Sequence, residues 1–260
     1  MSELLQLLEL AEQIAREAGT LLMNRPEDFV LDHKSNKLDF ATQMDHKSEA
    51  LITERIRTLR PSDGLLGEEG AARESESGYT WVIDPIDGTV NYLYGVPGWC
   101  VSIAVKDNDG YAVGVVYSPA THSLWKAARG HGAFLNGHPI HCNDPVSLDR
   151  ALVGTGFAYD TKRRINQAEL VSKLLPKIRD LRRLGACAAD ISMVGSGSLD
   201  AFLEAGVNEW DYAAALVIAT EAGGKVTRRK VWNGTKELVI ASGPALHPAL
   251  VALIDELDWA

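Results

Sequence analysis

The chain has 260 residues, of which 46% are hydrophobic and 23% charged, and its formal net charge is −9. That composition excludes disordered and fibrous classes and fits one large domain or two closely packed ones. An acidic surface repels a nucleic-acid backbone, so no nucleic-acid partner is expected, and a small phosphorylated molecule needs cations to approach.

Apolar residues recur at helical spacing over residues 4–22 (Leu4, Leu8, Ala11, Ile14, Ala15, Ala18, Leu22), opposite Glu3, Glu9, Glu12 and Arg16, which predicts an amphipathic helix. A second helix is predicted over 45–59, stopped by Pro61. The polar stretch 71–78 reads as a mobile connection. Residues 79–83 form a strand-like run that ends at Asp84-Pro85. Runs 100–106 and 111–117 read as a hairpin joined by Asp107-Asn108-Asp109-Gly110, and Asn136-Gly137 marks another turn. Beyond Arg150 the spacing predicts a strand over 151–155 and helices over 167–181, 188–199 and 211–222, the last closed by Gly223-Gly224. A strand over 238–241 and a helix over 245–257 complete the chain.

Helices and strands alternate without repeat or low-complexity linker, which predicts layered α/β or α+β packing. A soft boundary near Arg150 divides 1–150 from 151–260, two halves packed closely enough to count as one domain. Cys100, Cys142 and Cys187 lie far apart with no metal-ligand spacing, as packed thiols of a reducing compartment do. Met1-Ser2-Glu3 lacks a basic secretory start, and no apolar run approaches the roughly 20 residues that span a bilayer. A cytoplasmic protein without a membrane partner is expected. The histidines, including His122, His131, His138 and His141, read as surface or packing residues, and Arg179, Arg182 and Arg183 as a solvated helix end.

The densest chemical signal is Trp81-Val82-Ile83-Asp84-Pro85-Ile86-Asp87-Gly88-Thr89. An apolar strand delivers Asp84 at its end, and Asp87 follows three residues later, so both carboxylates can converge on one point. Oxygen ligands of this kind suit Mg²⁺, and Gly88-Thr89 offers open backbone N–H groups to a phosphate. A lone Asp-Pro-x-Asp describes a polar turn with capping aspartates equally well. Gly67-Glu68-Glu69-Gly70 again places acids just past an apolar run, and Trp210-Asp211 opens an apolar helix that Asp211 could simply cap. Together the acids read as a distributed metal cage.

These segments resemble the inositol monophosphatase family of lithium-sensitive phosphatases. One family signature matches residues 81–89 without a gap, and a second matches Trp210-Asp211-Tyr212-Ala213-Ala214-Ala215 through Glu221-Ala222-Gly223-Gly224. Gly67-Glu68-Glu69 and the run from Asp39 to Asp45 fall at the expected distances upstream. The resemblance implies an α+β fold, the layered α-β-α-β-α sandwich shared with fructose-1,6-bisphosphatase. It implies two or three Mg²⁺ ions per subunit: Glu68, Asp84 and the Ile86 carbonyl at the first, Asp84, Asp87 and Asp211 at the second, and a weaker third near Glu68 with Glu69 close by. The Gly88 and Thr89 backbone and the Thr89 hydroxyl would hold the phosphate, and Asp45 would accept from Thr89 and help orient the attacking water. Glu204, with Asp87 and the Gly185-Ala186-Cys187-Ala188 segment, would meet the substrate.

The implied activity is hydrolysis of inositol 1-phosphate by direct water attack, in a homodimer. Val90 stands where histidinol-phosphate phosphatases often carry a basic residue, which favours a neutral polyol phosphate. Histidinol phosphate, a sugar bisphosphate or a phosphoadenosine nucleotide are the alternative substrates. A regulatory, RNA-polymerase-associated role on the same fold is the alternative function. Asn208-Glu209 depart from the His-Cys of animal members, so substrate preference and lithium response are not carried over from those enzymes at this position.

Overall fold

The computed structural model describes residues 2–259, with the side chains at 35 and 36 left aside. Helix α1 (Glu3–Met23) is capped by the Ser2 hydroxyl, which accepts from Leu5 N, and buries the predicted stripe from Leu8 to Leu22. A hairpin of β1 (Leu31–Asn36) and β2 (Asp39–Thr42) leads into α2 (Gln43–Leu59). There follow β3 (Gly64–Gly67), β4 (Ala72–Arg73), β5 (Thr80–Asp87), the short α3 (Thr89–Tyr94), β6 (Cys100–Asp107), β7 (Gly110–Ser118), β8 (Ser123–Ala128), β9 (Ala133–Leu135) and β10 (His138–Pro139). The second half supplies β11 (Leu152–Thr155), α4 (Thr161–Leu174), β12 (Asp180–Arg182), α5 (Cys187–Gly195), β13 (Ala201–Val207), α6 (Glu209–Glu221), β14 (Lys225–Val231), β15 (Lys236–Ser242) and α7 (His247–Leu257).

Eight strands form one mixed sheet in the order β10-β9-β8-β7-β6-β5-β3-β4, and five form another in the order β12-β11-β13-β15-β14. Helices α1 and α2 pack on the outer face of the first sheet through Ile14, Leu22, Ile52 and Ile56 against Trp81, Ile83, Ile103 and Val115. Helices α5 and α6 fill the space between the sheets, so the core there joins Val82, Val116 and Trp125 to Phe202, Ala215 and Val239. Helix α7, with Leu170 and Leu174 of α4, covers the far face of the second sheet. The layers therefore run α-β-α-β-α, as the resemblance implied.

Several expectations are corrected. Strand β5 does not end at Asp84 but continues to Asp87, with its register to β6 shifted between those residues. Pro85, which has no N–H to give, falls in that irregularity, where no ladder bond is asked of it. The helix expected over 167–181 begins earlier, at Thr161, where the Asp160 side chain accepts from Arg163 N, and ends at Leu174. Pro176 has no N–H to continue the bonds of α4, and the chain passes through a 3₁₀ turn at Leu175–Lys177 into strand β12. Arg182 thus lies in a strand rather than at a helix end. Helix α5 stops at Gly195 rather than Leu199, before Gly197 at φ 73°. The stretch 71–78 is fastened to the protein: β4 pairs with β3, the Ser77 hydroxyl donates to Asp63, and the Ser75 hydroxyl donates to the Tyr79 carbonyl. Among the described residues no helix is long and apolar enough to cross a membrane.

Candidate active site

A cleft of about 820 Å³ opens where the C-terminal ends of β3 and β5 meet the N-termini of α5 and α6, and Glu68, Asp84, Asp87, Thr89, Glu204 and Asp211 all line it. Each acid is held by a local device. Asp84 Oδ1 accepts from Ile86 N at 3.0 Å within the irregular end of β5. Asp87 accepts from the first N–H groups of α5, Cys187 N at 3.0 Å and Ala188 N at 2.7 Å, and from the Cys100 thiol at 3.5 Å. Those bonds use one lone pair each and leave others directed into the cleft. Asp211 is the third residue of α6, and its Oδ2 accepts from Asn208 N at 2.6 Å. It serves the cap from inside the helix, while Asn208 occupies the cap position.

Asp45 is the third residue of α2, and its Oδ2 accepts from Thr42 N at 2.7 Å and the Thr42 hydroxyl at 2.6 Å. Its other oxygen accepts from the Thr89 hydroxyl at 3.1 Å, and the same hydroxyl lies 3.0 Å from the Ile86 carbonyl. Gly88 precedes Thr89 at φ 90°, and a Cβ there would press on the carbonyl of Gly98, so glycine alone makes this turn at so little cost.

Burial pushes the carboxyl of Asp84 well up, and the nearby charges of Glu68, Asp87 and Asp211 push it further. Asp211 is raised by burial and by Glu68. Asp87 is raised by burial, and the N–H of Ala188 only partly offsets this. Glu204, at the strand β13, is pushed up to about 7 by burial despite Arg183. So many buried carboxylates facing one another call for positive charge between them. One such charge comes from the chain itself. Lys34, on the β1–β2 hairpin, donates to Glu68 and Glu69 at 2.8 Å each, and its pKa is raised by both although burial opposes it. Glu69 still rises to about 7, because its burial outweighs Lys34.

The donors are all oxygens, as Mg²⁺ requires, and their mutual repulsion fits them to a cation. Among the described residues no three acid, histidine or cysteine side chains are arranged so as to hold a metal ion by themselves. Mg²⁺ retains several waters and takes phosphate oxygens as ligands, so a partial protein shell is what it uses.

The sequence left part of this cleft unread. Thr155, Gly156, Asp190, Trp232 and Lys236 line it and were not singled out, nor was Lys34, which reaches Glu68 at its edge. Arg183, expected in solvent, lines the cleft. Gly156 lies directly beneath the Glu204 carboxylate, where a Cβ would overlap it. The N–H groups of Cys187 and Ala188, expected to face a sugar ring, are given to Asp87. His122, His131, His138 and His141 are exposed, away from the cleft.

Fold and cleft together define a layered α+β protein whose cleft is lined by clustered carboxylates. The chain belongs to the inositol monophosphatase family, whose model matches residues 3–258. It is 37% identical to the inositol-1-monophosphatase of Mycobacterium bovis, over 97% of this chain and 94% of that one. It is 36% identical to the Nus factor SuhB of Escherichia coli K12, over 98% of both chains. Among solved structures, Mycobacterium tuberculosis SuhB aligns with a TM-score of 0.85 at 36% identity, over 99% of this chain and 98% of that one. The Thermotoga maritima IMPase aligns at 0.86 and 31% identity, over 97% and 98%. Membership supports phosphatase chemistry as the class of activity.

Proposed function

We propose that the protein is a Mg²⁺-dependent phosphomonoesterase of small phosphorylated polyols, most simply hydrolysing inositol 1-phosphate to myo-inositol and phosphate. One observation carries this reading: buried acids from β5 and α6, with Glu68 beside β3, line one cleft together with a threonine whose hydroxyl donates to Asp45. Glu68, Asp84 and the Ile86 carbonyl are assigned to one ion, Asp84, Asp87 and Asp211 to a second, and Glu68 with Glu69 nearby to a weaker third. When bound, Mg²⁺ acidifies water and neutralises the phosphoryl and leaving oxygens.

The chain's own groups then position the reaction. The Gly88–Thr89 turn cradles the phosphate, and the Thr89 hydroxyl, held by Asp45, orients the attacking water in line with the leaving oxygen. Glu204 meets the substrate's hydroxyls, beside the Gly185–Ala186 segment that lines the same cleft. No side chain acts as nucleophile: burial pushes the Cys100 and Cys187 thiols well up, which keeps them protonated and unreactive. We assign a homodimer as the working form, supported by the exposed Tyr159, Ile165, Leu175 and Leu184 in segment 159–184. A second role in transcription is favoured by the relatives named Nus factor SuhB.

Initial rates of phosphate release, with and without Mg²⁺, on inositol 1-phosphate, histidinol phosphate, a sugar bisphosphate and a phosphoadenosine nucleotide test the reading. Metal-dependent turnover of inositol 1-phosphate is expected. A much higher kcat/KM on a rival ester would displace the substrate assignment, and no metal-dependent release on any ester would displace the enzyme.

A further inference from the structure

We propose that Glu49, on α2 and outside the cleft, is a positioning residue that sets the affinity of the candidate metal site by holding the turn that carries Glu68 and Glu69. The proposal rests on the metal-dependent phosphatase reading and deepens it, since it assigns part of the site's affinity to a side chain that touches no metal.

The turn joins β3 to β4. Gly67 N donates to the Ala71 carbonyl at 2.7 Å, Glu68 N donates to the Ile83 carbonyl at 3.2 Å, and Gly70 turns the chain at φ 111°. The N–H groups of Glu69 and Ala71 are taken by one side chain. Glu49 Oε2 accepts from Glu69 N and Oε1 from Ala71 N, each at 2.9 Å. Gly67 gives that carboxyl its place, because a Cβ there would overlap Glu49 Oε2 and crowd the Ala71 side chain. The carboxylates of Glu68 and Glu69 both accept from Lys34. The turn is thus gripped twice, its backbone by α2 and its acids by the β1–β2 hairpin.

Glu49 is 6% exposed, and no lysine or arginine pairs with it among the described residues. A buried carboxyl without a cation is costly, and an apolar side chain would serve packing alone. What Glu49 adds is two acceptor oxygens for two N–H donors. A glutamine offers one acceptor and turns its NH₂ on the second donor, which frees the turn to shift. Such a shift moves Glu68 relative to Asp84 and Asp87, which the Ile86 N–H and the ladder with β6 hold separately. Mg²⁺ demands near-octahedral geometry at about 2.0–2.1 Å, so a small displacement of one ligand weakens binding.

Glu49→Gln keeps the size of the side chain and tests this directly. Calorimetric titration with Mg²⁺ is expected to show affinity about tenfold weaker than wild type, the scale on which groups behind metal ligands act. Without metal, hydrogen exchange at the Glu69 and Ala71 amides is expected to speed up about tenfold, while the Cys187 and Ala188 amides keep their wild-type rates. On inositol 1-phosphate, the Mg²⁺ concentration for half-maximal rate rises about tenfold and KM for the ester at saturating Mg²⁺ does not move. A variant that is less stable in urea but binds Mg²⁺ as wild type does makes Glu49 a packing residue and overturns the proposal. Should Glu49→Gln not fold, Ala71→Pro removes one donor and leaves the carboxyl in place; the same titration then decides, with weaker binding expected and equal binding fatal. Wild-type protein that binds Mg²⁺ but releases no phosphate removes the phosphatase reading alone and leaves the titration to decide this one. Wild-type protein that binds no Mg²⁺ overturns both.

Discussion

Asp84 and Asp63 are both buried acids at one sheet, and they differ in what compensates them. Asp84 has a single backbone donor and several carboxylate neighbours, so its charge is balanced only when cations arrive. Asp84→Asn is expected to lower kcat/KM by about a thousandfold while relieving repulsion in the folded protein. Calorimetry of Mg²⁺ binding together with the rate checks this; normal metal affinity with normal turnover would remove Asp84 from the site. Asp63 accepts from Arg60 Nε at 2.8 Å, Trp81 Nε1 at 2.9 Å and the Ser77 hydroxyl at 2.6 Å. Burial pushes its carboxyl up, but these donors outweigh it, and the net pKa lies below the ordinary value. A depressed folded value means stability that is fully present above the unfolded value of about 3.9 and is lost as pH falls through the folded one. Asp63→Asn is therefore expected to cost about 2 kcal/mol at neutral pH and to flatten the acid side of the stability curve. Urea unfolding of both proteins across the acid range measures the two slopes, and parallel slopes would refute the assignment.

At the level of elements, the ends of β5, α5 and α6 make the site because each brings polar groups that its own backbone cannot use. The first N–H groups of a helix have no partner inside it, and in α5 they go to Asp87. Helix α6 shows little amphipathic pattern because it is covered on both sides, by β7 and β6 in one sheet and β14 and β15 in the other. Its closeness to β7 depends on Gly114, where a Cβ would overlap the Ala214 carbonyl oxygen. Gly114→Ala is expected to cost about 3 kcal/mol by forcing strand and helix apart, visible as a lower urea midpoint with an unchanged slope. A midpoint equal to wild type would show that the layers part without cost. Strands β13 and β14 were not read from the sequence. The first carries the apolar run of a strand buried on both faces, and the second, Lys-Val-Thr-Arg-Arg-Lys-Val, is a polar edge strand defined by its partner β15.

Over the whole molecule, the central core takes side chains from both halves of the chain, so the boundary near Arg150 crosses a continuous apolar layer. The surface is less even. Tyr159, Ile165, Leu175 and Leu184 are exposed in one segment of chain that includes β12, the edge of the five-stranded sheet. Tyr159 lines the cleft, so Ile165, Leu175 and Leu184 are the groups that the proposed dimer would cover. Sedimentation is expected to give a mass twice the 28.2 kDa of the chain, and Ile165→Asp to shift it towards the monomer. A wild-type protein sedimenting as a monomer at micromolar concentration would rule the dimer out.

Among the described residues, the sequence by itself determined six of the seven helices, five of the fifteen strands and four of the acids that line the cleft. Apolar periodicity is local, and Glu68, Asp84, Asp87 and Asp211 each sit beside an apolar run that marks their place. It also carried the family, because its two motifs each lie within a short stretch of chain. Tertiary structure alone decided which acids face each other, that Lys34 reaches Glu68 and Glu69, and that Asp87 takes the N–H groups opening α5, 100 residues on. It alone set Glu49 of α2 against the backbone of Glu69 and Ala71. Those juxtapositions depend on how two sheets and two helices stack, and no local spacing in the chain records that distance.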